Sequence, residues 1–67
     1  MQKTLEEIRE YNEWTLEEAA SIYGNGISEE LLESYEQFNI IPDMKAIWAI
    51  LKATGLKYDD INFFFQD

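Results

Sequence analysis

Apolar and polar residues follow one another along this chain with the period of short helices, and the pattern predicts five of them. The first covers about Thr4 to Tyr11, where Leu5, Ile8 and Tyr11 (or Asn12) form one apolar stripe and Thr4 with Glu7 makes a capping box. The second runs from about Leu16 to Tyr23. Thr15 and Glu18 make a second capping box, Glu17 and Glu18 suit the positive helix start, and Ala19, Ala20 and Tyr23 leave a face that another helix can approach closely. Gly24-Asn25-Gly26 is the strongest break, because all three residues tolerate positive φ. Ser28 then reads as the N-cap of a third helix, about Glu29 to Gln37, with Leu31, Leu32 and Tyr35 pointing inward. Asn39-Ile40-Ile41 is extended, since a residue before proline is pushed out of the helical region. Pro42 and Asp43 open a fourth helix to about Thr54, with Met44, Ile47, Ile50, Leu51 and Thr54 on one face and Gly55 as its C-cap. Asp59 and Asp60 start a last short helix that ends near Phe64.

Composition narrows what such a chain can do. Its 67 residues make one domain, 1–67, without repeat, low-complexity tract or linker. A domain this small buries only about 60% of the surface its unfolded form exposes, so a deep active site and a full core do not fit together. There is no cysteine and no histidine, which removes thiolate metal sites, the usual general base and the commonest metal ligand. No glycine-rich phosphate loop followed by lysine is present, and the acidic pairs Glu6-Glu7, Glu17-Glu18 and Asp59-Asp60 are explained by helix starts. The expectation is a protein that is not an enzyme and has no cofactor, metal or small-molecule substrate. No apolar run approaches the roughly 18 residues of a membrane span. The opening Met1-Gln2-Lys3-Thr4 lacks the apolar region of a signal peptide, so a cytoplasmic protein is expected.

In order and spacing these segments resemble the Cro/repressor (XRE) family of helix-turn-helix domains along nearly the whole chain. Leu5, Ile8 and Arg9 match the family's first helix. Trp14-Thr15, Glu17-Glu18 and Ala20 match its Leu-Thr-Gln-Glu-Glu-Leu-Ala second helix, with Leu16 for Gln and Ala19 for Leu. Gly24 matches the glycine closing that helix, and Tyr35-Glu36 the aromatic-Glu pair ending the recognition helix. Ile41-Pro42 with Met44 to Gly55, and then Asp59-Asp60-Ile61, resemble the remaining signature segments. The resemblance implies an all-α, compact five-helix, lambda repressor-like fold and a small transcription-regulatory protein of bacterial or phage type. It also implies that the residue at position 36 buttresses the domain.

The departures from that pattern concern DNA. The turn holds about two extra residues, most simply Asn25-Gly26, and the glutamine that reaches the DNA backbone is Leu16 here. The surface of the recognition-type helix is Ser28, Glu29, Glu30, Glu33, Ser34 and Gln37, and the basic tail that often follows is Gln37-Phe38-Asn39-Ile40. The chain carries fourteen acidic and five basic residues, a net charge of −9. Affinity for DNA comes first from neutralising phosphates. A carboxylate about 7 Å from a phosphate costs roughly 0.6 kcal/mol even in water. Several of them, together with the rest of the −9 charge, oppose binding by a few kcal/mol, a repulsion comparable with the non-specific term of about 5–8 kcal/mol. The expected partner is therefore a basic protein surface, and sequence-specific DNA binding as a dimer is the alternative. A solvated helix face explains the glutamates equally well. Trp14 and Trp48 read as core or core-edge residues, and Met44 as core packing. Tyr58 with Phe63, Phe64 and Phe65 forms a candidate dimer or partner patch, because three consecutive aromatics on one helix cannot all face inward. A tail folded back over a small core is the competing reading.

Overall fold

Helix starts dominate the local structure. The computed structural model describes residues 2–64, with helices α1 (Leu5–Tyr11), α2 (Leu16–Tyr23), α3 (Glu29–Glu36) and α4 (Met44–Thr54). Each begins at an N-cap side chain in extended backbone: Thr4, Thr15, Ser28 and Asp43 accept from the backbone N–H three residues on. Thr4–Glu7 and Thr15–Glu18 are complete capping boxes, with Glu7 and Glu18 each accepting the cap N–H at 2.8 Å. Pro42 and Asp43 precede α4 rather than forming its first turn, and Gln37 caps α3 from outside.

Helix ends are less orthodox. After α1 the Glu13 N–H donates to Glu10 and the Trp14 N–H to Arg9, a Schellman arrangement whose left-handed residue is Glu13, at φ +59°. After α3 the pattern repeats, with Phe38 at φ +61° and donors Phe38 and Asn39. Between α2 and α3, Gly24, Asn25 and Gly26 all have positive φ, as their residue types predict. The Ile27 N–H closes that turn on the Gly24 carbonyl at 3.1 Å. Gly24, at φ +65° and ψ −148°, lies where only glycine is at ease. The Asn25 amide ties the turn to α4 through the Lys45 carbonyl.

The expected fifth helix does not form. Tyr58–Asp60 makes one 3-10 turn, closed by the Lys57 N–H on the Asp60 carboxylate at 2.9 Å. The chain then extends into strand β2 (Ile61–Asn62), which pairs in parallel with β1 (Lys3–Thr4), Lys3 opposite Ile61 and Thr4 opposite Asn62. The physical reason is a period of two: Ile61 and Phe63 are buried, Asn62 is half-buried and Phe64 is exposed. A helix would scatter those side chains, whereas a strand drives Ile61 and Phe63 into the core together and gains backbone partners beside α1.

The core is one cluster: Leu5 and Ile8, Ala19, Ala20 and Tyr23, Ile27, Leu32 and Tyr35, Ala46, Ile47 and Ile50, Ile61 and Phe63. Helix α2 packs against both α3 and α4, as its small residues allow, and α1 packs against α3. Several sequence expectations are corrected. Tyr11 is 83% exposed, so the α1 stripe is Leu5 and Ile8. Met44 and Trp48 are 78% and 68% exposed, because α4 turns Ala46, Ile47 and Ile50 inward and leaves Leu51 at the margin. Trp14 lies at the core edge as expected, its ring meeting that of Tyr23 edge-on at 6.1 Å. Leu31 is only half-buried. Among the described residues no helix is long and apolar enough to cross a membrane.

Candidate functional site

The outer side of α3 follows from which of its residues the core takes. Leu32 and Tyr35 are buried, which turns Glu29, Glu30 and Glu33 to solvent with Gln37 beyond them. Ser28 is exposed, but its hydroxyl is committed to the helix start, accepting from the Leu31 N–H at 3.0 Å. Ser34 is half-buried, and its carbonyl accepts from Asn39 as the helix ends. The candidate surface is thus Glu29, Glu30, Glu33 and Gln37, with Ser28 at its edge and Ser34 partly withdrawn. Glu29 and Glu30 also have a local reason to be acidic, since they occupy the first turn of a helix.

The charge around that surface is one-sided. Residues 5–37 contain ten glutamates and one basic residue, Arg9, whereas the four aspartates and four lysines of the remaining chain cancel. Arg9 is not free to offset this. Its Nε and Nη2 donate to the two carboxylate oxygens of Glu36 at 2.7 and 3.0 Å, and its Nη1 donates to the Trp14 carbonyl at 3.1 Å. The pair is largely enclosed, with side chains 17% and 6% exposed. The bond to Glu36, against some loss of hydration, raises the Arg9 pKa further above its usual range. A bidentate guanidinium–carboxylate pair is among the strongest polar contacts a protein makes. Here it fastens the end of α3 to α1 and to the chain entering α2.

Beside the pair, a shallow hollow of about 270 Å³ is lined by Glu6, Arg9, Leu16, Glu33, Glu36 and Gln37. Leu16 is the one apolar residue in that lining. The Tyr23 hydroxyl is buried without a hydrogen-bond partner among the described residues. Burial, and secondarily the charge of Glu36, push its pKa up to about 12. Among the described residues no group of three or more acidic side chains is placed to hold a metal ion.

The terminal aromatics divide. Phe63 is 1% exposed and belongs to the core, so it cannot serve a surface patch. Tyr58 stacks on it at 5.9 Å while remaining half open to solvent, and Phe64 is exposed beside Tyr58 at 6.1 Å. Phe65 lies outside the described residues. The apolar surface instead extends onto α4. Met44, Ile47, Trp48, Leu51 and Tyr58 line an open groove of about 380 Å³. Met44, Trp48 and Leu51 already stand at helical spacing in the sequence, but a stripe of that kind marks an apolar face without saying what covers it. No family model, curated protein or solved structure matches the chain.

Proposed function

We propose that the chain is a small regulatory protein of the helix-turn-helix type that works by contacting a partner protein. In this reading α2 and α3 are the two helices of a degenerate motif, α3 being the recognition-type helix, and the protein acts in the cytoplasm on transcription. Its outer face, Glu29, Glu30, Glu33 and Gln37, receives a basic protein surface of the kind that otherwise holds DNA. The observation that carries this is the charge count: ten glutamates in residues 5–37 face a single arginine, already paired with Glu36. A surface of that kind repels phosphates and attracts lysine and arginine.

Two measurements on the same preparation test it. Immobilised chain should retain a basic protein from its host's extract at low salt. Retention should fall with added salt and with the double variant Glu29→Lys, Glu33→Lys. A mobility-shift titration with genomic fragments at low salt should show no saturable complex. A saturable, sequence-selective complex that loses selectivity on Glu30→Ala or Ser34→Ala would replace this reading with that of a dimeric DNA-binding regulator.

A further inference from the structure

The outer side of α4 plays no part in that reading, yet it holds the most exposed large hydrophobic side chains of the helices after Tyr11. Met44, Trp48 and Lys52 follow each other at four-residue steps, with Lys45 alongside. The groove between this helix and the 3-10 turn has no charged residue in its lining. Trp48 also edges a second hollow that it shares with Ile22 of α2, and Tyr58 carries the surface on to Phe64. An apolar surface therefore runs from Trp48 and Met44 to Tyr58 and Phe64, with the more polar hollow of Ile22, Asn25 and Lys52 at its border.

Charge and shape together select the occupant. Two copies of a chain with net charge −9 repel each other, and all of that charge lies in residues 5–37. The remainder sums to zero, so α4, with Lys45 and Lys52, and the 3-10 turn, with Asp59 and Asp60, offer a surface of balanced charge on which a second copy can settle without bringing the glutamate faces together. Trp48 stands out at the rim of a groove that it helps to form, so in a two-fold contact each copy offers a knob and a hollow. Tryptophan buries roughly 150–250 Å² and methionine adapts to irregular gaps. A stable interface needs roughly 800 Å² from each partner, about a sixth of the 4734 Å² this chain exposes. Lys45 and Lys52 would form the rim, their ammonium groups staying in water.

We propose that the chain forms a two-fold symmetric homodimer through α4, with Trp48 of each copy seated in the groove of the other. This does not depend on what the acidic face binds. Sedimentation across a concentration series should show the mass rising from 7.9 kDa to twice that value. Added salt should favour the dimer, because it screens the repulsion between the acidic halves. Trp48→Ala and Met44→Lys should each weaken dimerisation about thirtyfold or more while leaving the helical circular dichroism intact. Glu33→Lys should leave the dimer in place. In a Trp14→Phe background, the emission of Trp48 should shift to the blue as the mass rises. A mass that stays monomeric at the highest attainable concentration overturns the proposal. So does a dimer indifferent to both α4 substitutions, or one whose formation leaves Trp48 emission unshifted. A dimer dissolved by salt also overturns it, since that would be a lysine-to-glutamate, head-to-tail contact. A monomer that still retains a basic partner removes the dimer and leaves the proposed function standing.

Discussion

Residues 5–37 and residues 38–64 contribute to one core but turn opposite surfaces outward. The first region buries Leu5, Ile8, Ala19, Ala20, Tyr23, Ile27, Leu32 and Tyr35, and its outside carries nearly every glutamate it contains. The second buries Ala46, Ile47, Ile50, Ile61 and Phe63 and leaves Ile40, Ile41, Met44, Trp48, Tyr58 and Phe64 open. Size explains part of this: a small domain cannot enclose all its apolar side chains. It does not explain the segregation, since charge spread evenly would keep the molecule dispersed equally well. Most carboxylates thus lie in the first region and most exposed aromatics in the second, Tyr11 excepted, so the first surface favours contact with cations and the second with apolar groups.

The sharpest way to break this comparison is to show that the exposed aromatics of the second region are structural after all. Ile50→Ala or Leu32→Ala removes a fully enclosed side chain and should cost about 2–5 kcal/mol. Phe63→Ala should cost about 3–5 kcal/mol and loosen the tie between the chain ends. Trp48→Ala should stay within about 0.5 kcal/mol in dilute solution, where no partner covers it. Denaturant unfolding of the four variants checks the ordering. If Trp48→Ala proved as costly as Ile50→Ala, the α4 surface would be core.

The acidic region rests on its single arginine, and that produces an asymmetry between the two partners of the ion pair. Arg9→Met leaves Glu36 enclosed and unpaired among nine other glutamates, and it also removes the donor to the Trp14 carbonyl. The expected loss is about 3 kcal/mol. Glu36→Gln leaves a cation in a field of carboxylates and should lose less, about 1–2 kcal/mol. Equal losses would mean that the surrounding glutamates do not act on the pair. A smaller effect in the opposite direction is expected at Glu13, which occupies a left-handed position normally given to glycine. Glu13→Gly should raise stability by about 0.5–1 kcal/mol, read from the shift in the unfolding midpoint.

Much of this arrangement is legible in the residues alone, and what is not has a common cause. Thr4, Thr15, Ser28 and Asp43 announce their helices because capping chemistry acts within four residues. Gly24-Asn25-Gly26 announces its turn for the same reason. The resemblance implies a structural Glu36, and the residue is engaged in an enclosed pair with Arg9. The errors arise where distant segments decide. Helical spacing gives the period of an apolar face but not its centre: it puts Met44 on the inward stripe with Ile47 and Ile50, whereas Ala46 shares that side with them and Met44 and Trp48 face out. Ile27 stands alone in a polar stretch, and only the folded chain shows it entering the core. Asp59-Asp60 is a true helix start with too little behind it, because Lys3–Thr4 offers Ile61–Asn62 a better partner.

Along the acidic face, stability and proposed function should oppose each other. Glu29 and Glu33 lie four residues apart on α3 and repel. Glu33→Lys converts that repulsion into a favourably oriented pair and should raise stability by about 0.5 kcal/mol, while weakening capture of a basic partner. Added salt should raise the melting temperature of the parent and do less for the variant, because there is less repulsion left to screen. A variant less stable than the parent would mean that the glutamates make contacts of their own.

The smallest effect concerns pH and tests how far the acidic region's field reaches inward. Tyr23 ionises near 12 in the folded chain, chiefly because it is buried and then because Glu36 is near. An unfolded tyrosine ionises near 10. The folded state therefore holds its phenolic proton more firmly. The stability linked to that proton is fully present below about pH 10 and is lost as pH rises toward 12. Tyr35, raised mainly by burial, adds to the loss in the same direction. Melting temperature should fall across this range more steeply in the parent than in Tyr23→Phe. At neutral pH that variant should be at least as stable as the parent, since it removes a buried hydroxyl without a partner. Glu36→Gln should lower the midpoint of Tyr23 ionisation, followed by tyrosinate absorbance, but leave most of the elevation in place. If the midpoint returned fully to the unfolded value, charge rather than burial would be holding the proton, and the acidic region would extend electrically into the core.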